Sequence, residues 1–189
     1  MSLLKLLRSN PDDLLRCKTL RFPAKSGKNE EQLLMGSTGQ VAFDLVESGE
    51  YADFVAKPGS SDISAWAEFP SNYIDVKLQG TTFALTAPLS GCTVGALNTG
   101  MWFHRARDCQ VAKYDLAPLR AERLNFIFGP PEYDKIANFY AKGDAAQVVV
   151  FGMKTSDTQW TFWAQWQKRL GPGEAQRLLW EKVGTYPKA

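Results

Sequence analysis

Cys92-Thr93-Val94-Gly95-Ala96-Leu97-Asn98-Thr99-Gly100-Met101-Trp102-Phe103-His104-Arg105 is the stretch on which the fold turns. Two runs of apolar and β-favouring residues flank Asn98-Thr99-Gly100, a combination of turn formers that ends the first run and starts the second. The spacing predicts a β-hairpin with a type I turn and Gly100 in the left-handed position of a three-residue loop. In that register Leu97 faces Met101 and Val94 faces His104. Residues of one parity share a face of a strand, so Cys92 falls on the face of His104, diagonal to it. A slip of one residue would put the two on opposite faces.

Outward from this hairpin the same grammar continues. Short runs rich in Val, Ile, Phe, Thr and Tyr at Val41–Val46, Tyr73–Leu78 and Thr81–Thr86 read as antiparallel strands punctuated by Gly, Pro, Asn and Ser. Ala146–Met153 and Thr158–Trp166, joined by the polar Thr155–Asp157, read as a second hairpin. Within it Trp160, Phe162 and Trp166 share parity and Trp163 takes the other face. Helices are predicted at three places. Near the start, Asn10 is an N-cap for Pro11, with Asp12 and Asp13 in the first turn. Another begins at Pro130 or Pro131, runs through Ile136, Phe139 and Tyr140, and stops at Gly143. The last spans Pro172 to Val183, with Ala175, Leu178, Leu179 and Val183 on one face. The expected fold class is α+β: an antiparallel β-sandwich core with flanking helices, in a single domain over residues 1–189.

Composition bounds the function. Hydrophobic residues make up 44% and charged residues 22% of the 189, which suits one packed domain and not a disordered chain. The net charge is +2 and no basic run reaches five residues, so neither nucleic acid nor a membrane surface is expected as a partner. No apolar stretch approaches the roughly 20 residues of a membrane span. The leucine-bearing start lacks the pattern of a cleaved signal peptide. The expected location is the cytoplasm of the producing cell, with delivery into a target cell by a dedicated secretion machine left open. Cys17, Cys92 and Cys109 form no even disulfide set, and no CxxC or Cys/His cluster announces a metal, so no cofactor is expected. Cys109 lies five residues past His104 and reads as core, and Arg105, Arg107 and Asp108 read as solvated strand ends.

Chemistry concentrates in Thr86-Ala87-Pro88-Leu89-Ser90-Gly91-Cys92, followed by the chain's sole histidine, His104. A thiol is mostly protonated near neutral pH, and an adjacent imidazolium stabilises the attacking thiolate. Diagonal neighbours on one face lie about 7–8 Å apart at Cα, a gap that an imidazole can cross. Gly91 carries no side chain to obstruct a substrate, and backbone N–H groups near Cys92 can meet an oxyanion. Thr86 lies at an even offset before Cys92, where its hydroxyl can orient the imidazole. Pro88 donates no ladder hydrogen bond and must sit at a strand edge or bulge.

The Leu89-Ser90-Gly91-Cys92 run, with Thr86 before it and His104 after it, resembles the active-site pattern of the glutamine deamidase toxins of the Burkholderia lethal factor and cytotoxic necrotizing factor type. The aromatic hairpin at Gln147–Trp166 is similar in place and character to one in that family. The resemblance is close only over about residues 86–104. It implies a β-sandwich core, with Cys92 as nucleophile, His104 as base and Thr86 as orienting hydroxyl. Leu89, Ser90 and Gly91 would shape the cysteine turn and meet the substrate. The activity implied is deamidation of a glutamine on a target protein, a host GTPase or a translation factor in the family, without metal or cofactor. Target recognition would fall to the loops Ala24–Asn29, Gly59–Ser64 and Gly129–Tyr133. A thioester taken by an amine instead of water would give a transglutaminase, and a backbone amide as substrate a protease. The alternative of another class is a non-catalytic β-sandwich binding module presenting Trp163.

Overall fold

The computed structural model describes residues 2–22, 39–67, 75–105, 124–133, 146–171 and 174–186. Two short helices come first, α1 (Leu3–Ser9) and α2 (Pro11–Cys17). The Asn10 side chain accepts from the Asp13 backbone N–H, and Pro11 occupies the first turn where its missing N–H costs nothing. Strands β1 (Thr19–Arg21), β2 (Gly39–Ser48), β3 (Tyr51–Ala56), β4 (Ile63–Ala67), β5 (Val76–Lys77), β6 (Phe83–Thr86), β7 (Thr93–Leu97), β8 (Met101–Arg105) and β9 (Leu124–Phe128) follow. After a single turn of helix, α3 (Pro130–Tyr133), come β10 (Ala146–Lys154), β11 (Trp160–Gly171) and β12 (Glu174–Tyr186).

The strands form two sheets. One has eight strands in the order β1-β3-β2-β4-β6-β10-β11-β12, and the other four in the order β5-β8-β7-β9. The expectation of antiparallel sheets holds for most pairs, but the larger sheet is mixed, because β1 runs parallel to β3 and β4 parallel to β6. The second parallel pair has a topological cause. Between β4 and β6 the chain crosses to the other sheet to place β5 beside β8, then returns in its original direction.

Nor is the architecture a plain sandwich, since the large sheet curls until its first strand meets its penultimate one. No ladder joins β1 to β11. Side chains make the closure instead: Leu20 N–H donates to Gln165 Oε1 at 2.8 Å, and Gln167 Nε2 donates to the Leu20 carbonyl at 2.7 Å. Gln165 Nε2 also donates to the Lys18 carbonyl at 2.8 Å, which ties the end of α2 to the same strand. Both glutamines are fully buried, and amides of this kind satisfy edge groups that an open sheet would leave to water.

The curled sheet is covered on both faces, which explains why β6, β10 and the first half of β11 are buried almost without alternation. Its concave face holds Phe43, Phe54, Trp66, Phe83, Leu85, Phe151 and Trp163, plugged by Leu4, Leu7, Leu14 and Leu15 of the two helices. Its convex face packs Ala65, Ala84, Val148, Val150, Trp160, Phe162 and Trp166 against Val76, Val94, Ala96, Trp102, Phe126 and Phe128 of the small sheet. The parity expected for the four β11 aromatics is therefore observed, and Trp163 covers the second core.

One predicted helix is a strand. Glu174–Tyr186 forms β12, laddered to β11 from Trp160↔Tyr186 to Gly171↔Glu174 with three register shifts. Glu-Ala-Gln-Arg-Leu-Leu-Trp-Glu-Lys suits a helix locally, but a helix this short gains little by itself. The edge of β11 offers a long ladder, and the bulged strand sends Leu179 and Val183 into the convex core and Trp180 toward the concave one. Leu178, assigned to the buried face of the helix, is 43% exposed. Of the predicted 130–143 helix, α3 supplies the first turn, and residues 134–145 lie outside the described ones. Tyr73, Arg107, Asp108, Cys109 and the Ala24–Asn29 loop are likewise outside them. Of the Gly59–Ser64 loop, Ile63 and Ser64 belong to β4, and Ser64 is fully buried with its hydroxyl on the Val41 carbonyl.

Candidate active site

The β7–β8 hairpin has the predicted register: Val94 pairs with His104 and Ala96 with Trp102. Gly100 N–H donates to the Leu97 carbonyl at 2.9 Å, and Gly100 has φ +75°, the left-handed conformation that ends a three-residue loop. His104 thus points from the small sheet toward the convex face of the large one, on the same side as Val94 and Trp102.

Opposite it stands Thr86, the last residue of β6. Its Oγ1 lies 2.6 Å from His104 Nδ1 and 2.8 Å from the carbonyl oxygen of Ala67 on the neighbouring β4. A hydroxyl has one proton to give, and a carbonyl can only accept. The Thr86 proton therefore goes to Ala67, and the imidazole donates Nδ1–H to Thr86. This assignment leaves the lone pair on Nε2, the tautomer that a general base needs. The sheets are joined here by a polar bond inside an apolar interface.

The electrostatics differ from the sequence expectation in one respect. Burial pushes His104 down to about 4 from the ordinary 6.5, with the Ala67 carbonyl opposing part of the effect. His104 is only 3% exposed. The imidazole is neutral at neutral pH and is therefore no standing imidazolium that could hold a neighbouring thiolate.

Cys92 immediately precedes β7 and packs in the inter-sheet cluster with Val94, Ala96 and Trp102, the face of His104. It carries a thiol and no disulfide, and it retains 8% exposure. The loop that presents it is anchored by Leu89, which exchanges two backbone hydrogen bonds with Val148 at 2.7 and 2.8 Å and is fully buried. Ser90 is exposed, and Gly91 is buried with φ +113°, outside what an L side chain adopts without strain. Within the motif, then, Leu89 pins the loop, Gly91 bends it, and Ser90 faces solvent. Pro88 fits between the end of β6 and the Leu89 bridge, where no ladder bond is asked of it.

No protein-family model matches this chain, and no curated protein does either.

One neighbour went unread in the sequence and another was read differently. Trp102, two residues before His104, donates its indole N–H to the Leu85 carbonyl at 3.0 Å. Its parity with His104 was the available signal. Arg105, expected to be solvated, is half-buried and paired with Asp75 at 2.9 Å, with its guanidinium 5.1 Å from the Phe103 ring. Among the described residues no three His, Cys, Asp or Glu side chains gather as a metal site would. No helix among them is long and apolar enough to cross a membrane.

Proposed function

We propose that this protein is a cysteine-dependent amide hydrolase, a protein-glutamine deamidase of the bacterial toxin type. The observation that supports it is the Thr86 Oγ1 to His104 Nδ1 bond, because it gives the orienting hydroxyl and the base the relation that the motif spacing demands. In this reading Cys92 Sγ attacks the carboxamide carbon of a glutamine while its proton passes to His104 Nε2. Backbone N–H groups of the Gly91–Cys92 turn face the oxyanion. The tetrahedral intermediate expels ammonia, which leaves with the proton returned by His104. A water molecule, deprotonated by the same imidazole, then hydrolyses the thioester and releases glutamate with the thiol restored. The substrate is a folded target protein with an exposed glutamine. A host GTPase and a translation factor are the target classes that the motif resemblance supplies.

Incubation of candidate target proteins with wild type and Cys92→Ser, followed by peptide mapping, tests the reading. Conversion of one glutamine to glutamate by wild type alone supports it. Absence of conversion across both target classes, with Cys92 no faster than Cys17 toward iodoacetamide, overturns it.

Burial favours a second reading, a non-catalytic binding module in which His104 is an inter-sheet tie. With His104 at 3% and Cys92 at 8% exposure, a purely structural pair looks the same at rest. Alkylation separates the two. A catalytic pair gives Cys92 a rate that His104→Ala lowers, and a structural pair gives a rate set by unfolding alone.

A further inference from the structure

We infer that Trp102 is a positioning residue for His104, acting by clamping β8 to the backbone of β6. The inference deepens the proposed function, since positioning matters only if His104 is a base. β6 and β8 belong to different sheets and share no ladder, so side chains alone set their relative placement. Two polar bonds do so. Trp102 Nε1–H donates to the Leu85 carbonyl at 3.0 Å, and His104 Nδ1 meets Thr86 Oγ1 at 2.6 Å. The two donors are alternate residues of β8, about 7 Å apart along the strand, and their acceptors are consecutive residues of β6. With the histidine bond alone β8 can pivot about it. The second bond removes that freedom and fixes where Nε2 points.

The direction of the indole is itself fixed. Trp102 is fully buried, and its ring lies nearly parallel to Phe162 (12°, centroids 5.6 Å) and Phe126 (13°, 6.4 Å), which stack on each other at 4.0 Å. The stack holds the plane of the indole, and within that plane the N–H meets the Leu85 carbonyl. A phenylalanine could fill most of this slot with the same stacking but without the donor. A purely apolar role would therefore be met by either residue, and the N–H is the part that a positioning role requires.

Because the chain has one histidine, its imidazole nitrogens can be followed by NMR without assignment ambiguity. In wild type, Nδ1 should be the protonated nitrogen. The Trp102 indole proton should exchange at least about a thousand-fold more slowly than an exposed indole. In Trp102→Phe the tautomers should mix, the imidazole should titrate at a higher pH than in wild type, and target deamidation should fall about ten-fold or more through kcat. A folded Trp102→Phe with wild-type tautomer and titration overturns the inference. So does rapid exchange of the indole proton in wild type, a measurement that stands even if the variant does not fold. If the NMR results hold but wild type deamidates no target, the function reading fails and the clamp geometry survives.

Discussion

Acidification from pH 7 to pH 5 should destabilise this protein through His104 alone. The folded imidazole titrates near 4 and the unfolded one near 6.5. Between these values the unfolded state binds a proton that the folded state refuses, so stability is lost as pH falls through this window. Integrated from pH 7 to pH 5, the difference amounts to about 2 kcal/mol, and about 3 kcal/mol by the time the folded pKa is passed. No other histidine titrates in the interval, and carboxylates contribute mainly below it. Urea titrations at pH 7, 6 and 5 of wild type and His104→Gln measure the effect as a shift in midpoint at constant slope. Wild type should lose midpoint steadily while His104→Gln stays nearly flat. Parallel curves for the two proteins would falsify the placement of a neutral, desolvated imidazole between the sheets, and with it the tautomer argument for a base.

Three further changes probe the surroundings. Thr86→Val keeps the shape but strands the His104 Nδ1–H and withdraws the donor from Ala67, so it should cost about 1–3 kcal/mol. Calorimetry reads this as a fall in Tm of several degrees, and no fall would remove Thr86 from the site. Gly91→Ala puts a side chain at φ +113° and should cost about 1–3 kcal/mol. It should also alter the rate of Cys92 alkylation, and an unchanged rate would mean that the bend does not present the thiol. Gln165→Leu leaves the Leu20 N–H and the Lys18 carbonyl without their partner in a buried setting, so hydrogen exchange at Leu20 and through α2 should accelerate. Unaltered protection there would show that the sheet stays curled without the amide.

The local grammar was legible where neighbours in sequence decide the structure. Asn98-Thr99-Gly100 set the hairpin register, and the register put His104 on the Cys92 side; Asn10-Pro11 set the start of α2. What could not be read depends on distant partners. Helix-forming residues 174–183 become a strand because β11 offers an edge, and no periodicity within the segment encodes that edge. The curl of the large sheet rests on Gln165 and Gln167, whose buried side chains look like solvated strand residues in a sequence. The parallel β4–β6 pair follows from an excursion through the other sheet, a topological fact with no local signature.

The site shows the same division. Spacing pointed to Thr86, Cys92 and His104, but the environment of the imidazole comes from two sheets meeting. A histidine on the solvent face of an antiparallel sheet would be charged for part of the physiological range and would attract a thiolate at rest. Here the convex face of β4–β6–β10–β11 takes the solvent away, so the imidazole is neutral at rest. A thiol with 8% exposure should escape oxidation better than a solvent-exposed one. If the proposed deamidation holds, the group that must reach this buried thiol is a glutamine carboxamide, which is small and uncharged. An anionic alkylating agent should consequently modify Cys92 more slowly than iodoacetamide, whose amide head resembles that of glutamine. Equal rates for charged and neutral reagents would show that the thiol reacts only after the two sheets have parted.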